Sequence, residues 1–180
     1  QRPRAMCYSR TGLVGAKAAL IACPPREMRG IMQEVVSAAP ELAKVPVAIL
    51  AGGLGTRLRP AIGERQKVLE EIDGRHLLAY LLDQVADAGF REVVLCVGWQ
   101  AGEVERALGG AHGPLRLRYS REPAPLGTAG ALRLALPMLS ADQVLVMNGD
   151  SYCEADLPAA FRWHFERAAE ATLLLVEAED

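Results

Sequence analysis

From Val45 onward, short apolar runs alternate with segments whose apolar residues recur at helical spacing. The runs predict strands at Val47 to Leu50, Glu92 to Val97, Gln143 to Met147 and Thr172 to Val176, and the alternating segment from Leu115 to Tyr119 predicts another. The helical segments run from Leu77 to Ala88, Ala101 to Leu108, Thr128 to Leu136 and Asp156 to about Ala169. Thr128 and Asp156 are predicted N-caps, because their side-chain oxygens can accept backbone N–H groups.

This order of strand, helix and strand predicts an α/β fold. We expect a Rossmann-like, doubly wound, mostly parallel sheet with helices on both faces. Ligands of such sheets bind beyond the carboxyl ends of the strands. The chemistry of this chain is therefore expected in the loops that follow its strands.

Residues 1–44 differ in sequence pattern from the rest of the chain and carry no chemical motif. A short strand is predicted at Ala18 to Ala22 and an amphipathic helix at Met28 to Ala39. We expect this segment to be either the tail of an upstream module or N-terminal packing. The predicted domains are thus residues 1–44, an extension, and residues 45–180, which carry the alternating strands and helices.

Composition narrows the class of protein. The chain has 180 residues, of which 51% are apolar, and this is enough for one globular core. It contains no apolar run of the ~20 residues that a membrane helix needs and no secretory signal at its start, so a cytoplasmic setting is the default. Its net charge of −2 gives no general attraction to nucleic acid or membrane. The four cysteines and three histidines show no metal-ligand spacing.

The segment from Ala51 to Pro60, AGGLGTRLRP, predicts a phosphate-binding loop directly after a strand. Its glycines bring bare N–H groups up to an anion, while the threonine and the two arginines add a hydroxyl and positive charge. A nucleoside triphosphate is the expected ligand. A dinucleotide fingerprint would require glycine in place of Leu58, and a P-loop would require Gly-Lys-Ser or Gly-Lys-Thr, which is absent.

Three further features complete the candidate site. Lys67 follows the loop and can reach back to phosphates as a mobile charge. Asp150 follows a strand and a glycine, as a magnesium ligand would, although an Asx turn would use the same residues. The segment from Glu122 to Gly130, EPAPLGTAG, is a second glycine loop suited to a flat base, or else a rigid turn before a helix.

Taken in this order, AGGLGTRLRP, Lys67, EPAPLGTAGAL and NGD resemble the sugar-1-phosphate nucleotidyltransferase family. The likeness covers about Val45 to Asp180. The segments GRHLLAYLL, YSRE and NGDSY are most similar to its D-glycero-D-manno-heptose 1-phosphate guanylyltransferase branch, followed by the mannose-1-phosphate guanylyltransferases. The family fold is the nucleotide-diphospho-sugar transferase type.

The resemblance implies transfer of a nucleoside monophosphate, most simply GMP from GTP, to a sugar 1-phosphate with release of pyrophosphate. Heptose or mannose would be activated in this way for surface polysaccharide synthesis, with Mg²⁺ as cofactor. The implied catalytic residues are Arg57, Lys67 and Asp150, with Asp150 as the metal ligand. The implied nucleotide-binding residues are Leu50, Ala51, Gly52, Gly53, Gly55, Thr56, Glu122, Pro125 and Gly127.

The chain departs from the family pattern at three places. Gln66 and Val68 replace the prolines that usually flank the lysine, and His76 stands where proline is frequent. The family domain also continues beyond the equivalent of Asp180, with a second metal-binding aspartate and much of the sugar pocket in that later part. We therefore expect a chain truncated at its C-terminus that holds the nucleotide half of a site.

Two alternatives stay open from sequence. One is a nucleotidyltransferase that uses another nucleotide or sugar, and the other is a non-catalytic regulatory or sensor homologue. The presence of Arg57, Lys67 and Asp150 disfavours a sensor, which has less need of all three. The oligomeric state also stays open, with a homo-oligomer as one alternative.

Overall fold

The computed structural model describes residues 4–7, 19–22, 41–53 and 67–175. Its strands are β1 Arg4–Cys7, β2 Ala19–Ala22, β3 Val47–Leu50, β4 Glu71–Ile72, β5 Arg75–His76, β6 Glu92–Val97, β7 Ala111–His112, β8 Leu115–Arg121, β9 Val144–Asn148 and β10 Ala171–Leu175. Its α-helices are α1 Leu77–Asp87, α2 Ala101–Leu108, α3 Gly127–Ala135 and α4 Leu157–Glu166. Short 3-10 helices occur at Leu42–Lys44, Lys67–Leu69 and Leu136–Met138.

Eight of these strands form one sheet in the order β1-β10-β2-β9-β3-β6-β8-β7. The central strands β9, β3, β6 and β8 are parallel, which confirms the predicted α/β fold. Antiparallel strands flank them on both sides. Of these, β2 matches the strand predicted at 18–22, while β1 was not predicted. The helix predicted at 28–39 lies outside the described residues.

Helices cover both faces of the sheet. Helices α1, α2 and α4 pack on one face, where they bury a core with the inward residues of the parallel strands. Helix α3 covers the other face through Ala131 and Ala135, which pack with Ala48, Val94 and Cys96. Because both faces are buried, β3, β6 and β9 are apolar at nearly every position, whereas β8 alternates between apolar and polar residues. This explains why their continuous runs were recognisable in sequence.

The chain reverses its direction of travel across the sheet at β3. It moves from β3 to β6 and β8, then crosses by α3 to β9 on the other side of β3. The reversal places a crevice between the loops that leave β3 and β9 at their carboxyl ends. Such a topological switch point is where open α/β sheets bind ligands.

Of the two predicted helix N-caps, one is wrong and one is confirmed. The prediction that Thr128 caps α3 is wrong, because α3 begins at Gly127 after Leu126 and has no side-chain cap. Glu122 Oε2 instead accepts the backbone N–H of Leu126 at 2.9 Å, just before the helix. The predicted cap of α4 is confirmed, since Asp156 Oδ1 accepts the N–H of Ala159 at 2.9 Å.

Three predicted ends move by a few residues. Helix α4 stops at Glu166 instead of about Ala169, because Ala168 takes a positive φ of 44° that no α-helix accommodates. Strand β8 runs on to Arg121, two residues beyond the predicted end, and pairs with β6 along its length. Helix α3 gives way to a 3-10 turn at Leu136, next to Pro137.

A neutral histidine is buried between α4 and β10. His164 is 1% exposed, and its Nδ1 lies 2.8 Å from Thr172 Oγ1. Burial lowers the pKa of His164 below its ordinary value of 6.5. The unfolded chain therefore binds a proton on this imidazole at a higher pH than the folded chain does.

We expect stability to fall as pH decreases from about 6.5 toward the lowered pKa of His164. His164→Asn keeps a polar partner for Thr172 and removes this titration. Urea unfolding of both proteins at pH 7.5 and 5.0 checks the expectation, which requires a steeper loss in the parent protein. Equal losses in the two proteins would contradict it.

Candidate functional site

The carboxyl ends of the four parallel strands lie side by side in close register. Leu50 at the end of β3 pairs with Asn148 of β9 on one side and with Cys96 of β6 on the other. Cys96 in turn pairs with Ser120 of β8. The loops that begin at residues 51, 98, 122 and 149 therefore leave the sheet at one edge. This brings the described start of the first glycine loop to the same end of the sheet as the second glycine loop and the NGD segment.

The first loop is tied to both neighbouring strands as it leaves β3. The N–H of Ala51 donates to the carbonyl of Cys96 at 2.8 Å, and the N–H of Gly149 donates to the carbonyl of Leu50 at 2.9 Å. Ala51 is buried, while Gly53 is exposed. The described start of the loop therefore runs from the buried core to the surface at the carboxyl end of β3.

Part of the predicted phosphate loop lies outside the described residues. Gly55, Thr56 and Arg57 belong to this part, so their predicted roles stay predictions. Lys67 begins the 3-10 helix Lys67–Leu69, which leads into the small hairpin of β4 and β5. His76 ends that hairpin, and its Nδ1 lies 2.8 Å from the carbonyl oxygen of Leu69.

Gly52 is enclosed on two sides. A Cβ added to Gly52 would lie 2.3 Å from Glu122 Oε1, so the carboxylate occupies the space that a side chain would fill. On the other side, a Cβ added to Gly98 would lie 3.0 Å from the Gly52 carbonyl oxygen. A side chain at Gly52 would displace the Glu122 carboxylate, whereas one at Gly98 would press on the backbone of the first loop.

The second loop begins directly after β8, as predicted. The N–H of Glu122 donates to the carbonyl of Val97 at 2.8 Å, which fixes the start of the loop to β6. Pro125 and Gly127 are exposed, and Gly127 takes a positive φ of 70° that favours glycine. Gly130 packs against Leu126, whose Cβ would lie 2.6 Å from a Cβ added there. The loop therefore presents an exposed backbone surface beside the first loop.

Asp150 lies at the end of β9 and is exposed. Gly149 before it is buried, and a Cβ there would lie 2.9 Å from the Leu50 carbonyl oxygen. Ser151 Oγ lies 3.5 Å from Asp150 Oδ1. Within the described ranges, no group of three or more His, Cys, Asp or Glu side chains could hold a metal ion. One carboxylate nevertheless suits Mg²⁺, which completes its octahedron with phosphate oxygens and water.

Burial and a nearby negative charge both affect the pKa of the Cys96 thiol. Burial raises the pKa of Cys96 to about 11, and the nearby Glu122 carboxylate adds to this effect. Cys96 is therefore a protonated core residue at neutral pH and not a nucleophile. This agrees with its position in the apolar run that predicted β6.

An acidic cleft of about 420 Å³ lies elsewhere, between α1 and the segment from Tyr152 to Pro158. Its polar lining consists mainly of the carboxylates of Asp83, Asp87, Glu154 and Asp156. None of the predicted site residues lines this cleft. This charge opposes binding of a triphosphate. The carboxyl ends of the parallel strands remain the better candidate for a nucleotide-binding site.

Gly98 was not among the site residues predicted from the sequence. Its signal was available, because Gly98 directly follows the apolar strand β6 in the same way that Gly149 follows β9. Its contact with Gly52 depends on the strand register, which the sequence does not show. The position of Gly98 after β6 is visible in the sequence, whereas its contact with Gly52 is visible only in the folded chain.

The fold defines an α/β protein of the doubly wound class, and the described loops lie at the end of the sheet where such proteins bind ligands. Residues 47–180 match the model of the Nucleotidyl transferase family, and the chain belongs to that family. No helix in the described part of the chain is long and apolar enough to cross a membrane.

Two curated relatives differ in the base that their names specify. The chain is 34% identical over 127 residues to D-glycero-alpha-D-manno-heptose 1-phosphate guanylyltransferase of Aneurinibacillus thermoaerophilus, covering 71% of this chain and 55% of the relative. It is 40% identical over 116 residues to N-acetylmuramate alpha-1-phosphate uridylyltransferase of Neisseria meningitidis serogroup B, covering 63% of this chain and 50% of the relative. The chain therefore spans about half the length of these relatives.

A solved structure of similar fold is HddC from Yersinia pseudotuberculosis, complexed with GMP-PN. The two share 31% identity with a TM-score of 0.62, over 67% of this chain and 54% of HddC. The comparison supports the α/β assignment independently of the loop sequences.

Proposed function

We propose that the protein containing this chain transfers a nucleoside monophosphate, GMP from GTP, to a sugar 1-phosphate. The products would be pyrophosphate and a nucleoside diphosphate sugar. The observation that carries this proposal is that three loops leave the sheet at the same end of the parallel strands. The glycine loop and the segment with Asp150 leave the neighbouring strands β3 and β9, and the second loop leaves β8, on the far side of β6.

The chemistry demands alignment and charge neutralisation. An oxygen of the sugar phosphate forms a bond to the α-phosphorus as the bond to the pyrophosphate oxygen breaks. In this proposal the backbone of Leu50 to Gly53 holds the nucleotide, and Gly55, Thr56 and Arg57 hold its phosphates. Lys67 supplies mobile positive charge to the leaving pyrophosphate.

Asp150 is the proposed ligand of the divalent cation. Asp150 is exposed, and Gly149 directly before it packs closely against Leu50 and Ala51, where the first loop begins. A bound Mg²⁺ would neutralise charge on the phosphates. The protein's own contribution is to place the carboxylate at the end of a buried strand, beside the loop that binds the nucleotide.

The second loop, with Glu122, Pro125 and Gly127, is the proposed wall of the base pocket. Guanine is supported by the heptose guanylyltransferase relative and by the GMP-PN complex of HddC. The heptose relative and the mannose-1-phosphate guanylyltransferase of Drosophila pseudoobscura, 36% identical over 136 residues, make heptose or mannose 1-phosphate the proposed acceptors. The nucleotide-binding domain is proposed to start near residue 45.

The test is a matrix of four nucleoside triphosphates against several sugar 1-phosphates, with full-length protein and Mg²⁺. We expect pyrophosphate release to be fastest with GTP and with heptose or mannose 1-phosphate. If pyrophosphate release is fastest with UTP, the proposed reaction class stands and the proposed base changes from guanine to uracil. UTP is included because the 40% identical relative is a uridylyltransferase.

A regulatory homologue is the competing function. It would bind nucleotide through the same loops and release no pyrophosphate with any pair of substrates. If calorimetry detects binding of GTP but no pair of substrates releases pyrophosphate, the enzymatic proposal is wrong. The Arg57, Lys67 and Asp150 side chains favour the enzyme, since a sensor needs fewer charges around the phosphates.

A further inference from the structure

We propose that His76 is a positioning residue that holds the short helix beginning at Lys67, through a hydrogen bond from its imidazole to the carbonyl of Leu69. The inference deepens the proposed function and rests on it for the role of Lys67 in the reaction. The hydrogen bond itself is independent of what the protein binds. We call residues 67–70 the lysine turn.

The lysine turn lies between the buried core and the hairpin of β4 and β5. Val68 is 3% exposed and packs in the core, which fixes the middle of the turn. The neighbours of Lys67 in the chain are Gln66 and Val68, so no proline restricts the backbone on either side of the lysine. The position of the turn therefore depends on the contacts of its side chains and carbonyl groups.

Two neighbouring carbonyl groups of the lysine turn are held where β5 passes into α1. The N–H of Leu77 donates to the carbonyl of Glu70 at 2.9 Å, and Nδ1 of His76 lies 2.8 Å from the carbonyl oxygen of Leu69. Because a carbonyl oxygen can only accept, Nδ1 carries the hydrogen in this contact. Any residue except proline can supply the first bond, whereas the second requires the side chain of His76.

The backbone of His76 does not explain why a histidine stands at this position. Its φ of −61° and ψ of 138° are extended values that proline and most other residues adopt. Its side chain caps no N–H group of α1, although His76 directly precedes that helix. The described hydrogen bond of the imidazole is the one to Leu69, and this bond accounts for the residue type.

The hairpin is itself attached to α1, so His76 acts from a fixed position. Tyr80 Oη donates to the carbonyl of Ile72 in β4 at 2.9 Å. Arg75 in β5 donates to Asp83 Oδ2 at 2.7 Å, and its guanidinium carbon lies 4.9 Å from the centre of the Tyr80 ring. Both strands of the hairpin are thus bound to the same helix, and the imidazole extends this attachment to the lysine turn.

In the proposed reaction, Lys67 neutralises charge that develops on the leaving pyrophosphate. An interaction of this kind is stronger in the transition state than in the ground state, so displacing the lysine lowers kcat more than it raises KM for GTP. Losing the bond between His76 and Leu69 should therefore lower kcat, and only in a protein that contains Lys67.

Two amide side chains test this bond with the same functional group. Asparagine places its NH₂ near the position of Nδ1, whereas glutamine places it near that of Nε2. His76→Gln and His76→Ala are expected to lower kcat about three- to ten-fold, the usual cost of one lost hydrogen bond, while His76→Asn retains most of the rate. Equal losses in the asparagine and glutamine variants would overturn the inference.

A double-mutant cycle shows whether His76 acts through Lys67. Steady-state rates of pyrophosphate release are measured with full-length protein, Mg²⁺ and the pair of substrates that reacts fastest in the matrix. We expect His76→Gln to have no further effect on kcat in a protein that already carries Lys67→Ala. The same fold-loss in both backgrounds would contradict positioning of the lysine.

The tautomer of His76 separates this inference from the proposed function. In nitrogen-15 NMR of the ligand-free protein, at a pH where the imidazoles are neutral, His76 should carry its hydrogen on Nδ1. His112 is the matched control, because its Nε2 lies 2.7 Å from Asp83 Oδ1 and should carry the hydrogen instead. His76→Asn removes one set of ring signals and so assigns them.

A hydrogen on Nε2 of His76 in this spectrum would overturn the inference, whatever the protein binds. The expected tautomer in a protein that releases no pyrophosphate would retain the bond between His76 and Leu69 and reject the enzymatic proposal.

Discussion

Asp150→Asn is expected to lower the rate of pyrophosphate release by about 100- to 1,000-fold, because the amide lacks the charge that would hold the divalent cation. The substitution preserves shape, and Asp150 is exposed, so the unfolding temperature should change little. Initial rates at saturating GTP over a series of Mg²⁺ concentrations, with thermal unfolding of both proteins, check both parts.

The control is Asp142→Asn, at the opposite end of β9. Asp142 is exposed just before the strand, so the same chemical change occurs away from the proposed site. Its rate should match that of the parent. If Asp150→Asn lost stability and activity in equal measure, Asp150 would be a structural turn residue, which is the second interpretation of the NGD segment.

Phe161→Ala is expected to destabilise the fold by about 3–5 kcal/mol, the usual range for a buried aromatic truncated to alanine. Phe161 is 1% exposed on the inner face of α4, and its ring meets that of Phe90 edge-on with centroids 5.5 Å apart. Alanine would leave a cavity and remove this aromatic contact, worth about 1 kcal/mol beyond area burial. Chemical denaturation gives the free energy of unfolding.

Phe161→Leu is the matched variant. It keeps most of the buried volume while it removes the ring, so it should cost clearly less than alanine. Equal losses would mean that the edge-on contact with Phe90 dominates and that the cavity matters little. A negligible loss for alanine would contradict the packing of α4 against this face of the sheet.

The sequence predicted the central architecture because both faces of β3, β6 and β9 are covered. Their apolar runs are continuous, and helices of clear periodicity separate them. The strand β1 carries no such signal, since Arg4 to Cys7 is short and mixed. Thr128 was chosen as a cap because the residue type fits, but Gly127 with its positive φ starts the helix one residue earlier.

The residue types of the candidate site could be predicted from the sequence, but the contacts between them could not. Glycines after strands, a following lysine and a lone aspartate indicate phosphate binding from residue types and their order alone. The contact between Glu122 and Gly52 joins residues seventy positions apart, and only the register of β3, β6 and β8 creates it. The same register shows why Gly98 belongs with the site, although its segment carries no phosphate motif.

The fate of the phosphorus atoms of GTP tests nucleotidyl transfer most directly. Full-length protein is incubated with Mg²⁺, a heptose or mannose 1-phosphate and GTP labelled with phosphorus-32 in either the α or the γ position. Attack at the α-phosphorus predicts that the α label enters the nucleoside diphosphate sugar and the γ label leaves as pyrophosphate. Transfer of the γ label to the sugar, or retention of both labels in GTP while GTP binds, would contradict nucleotidyl transfer.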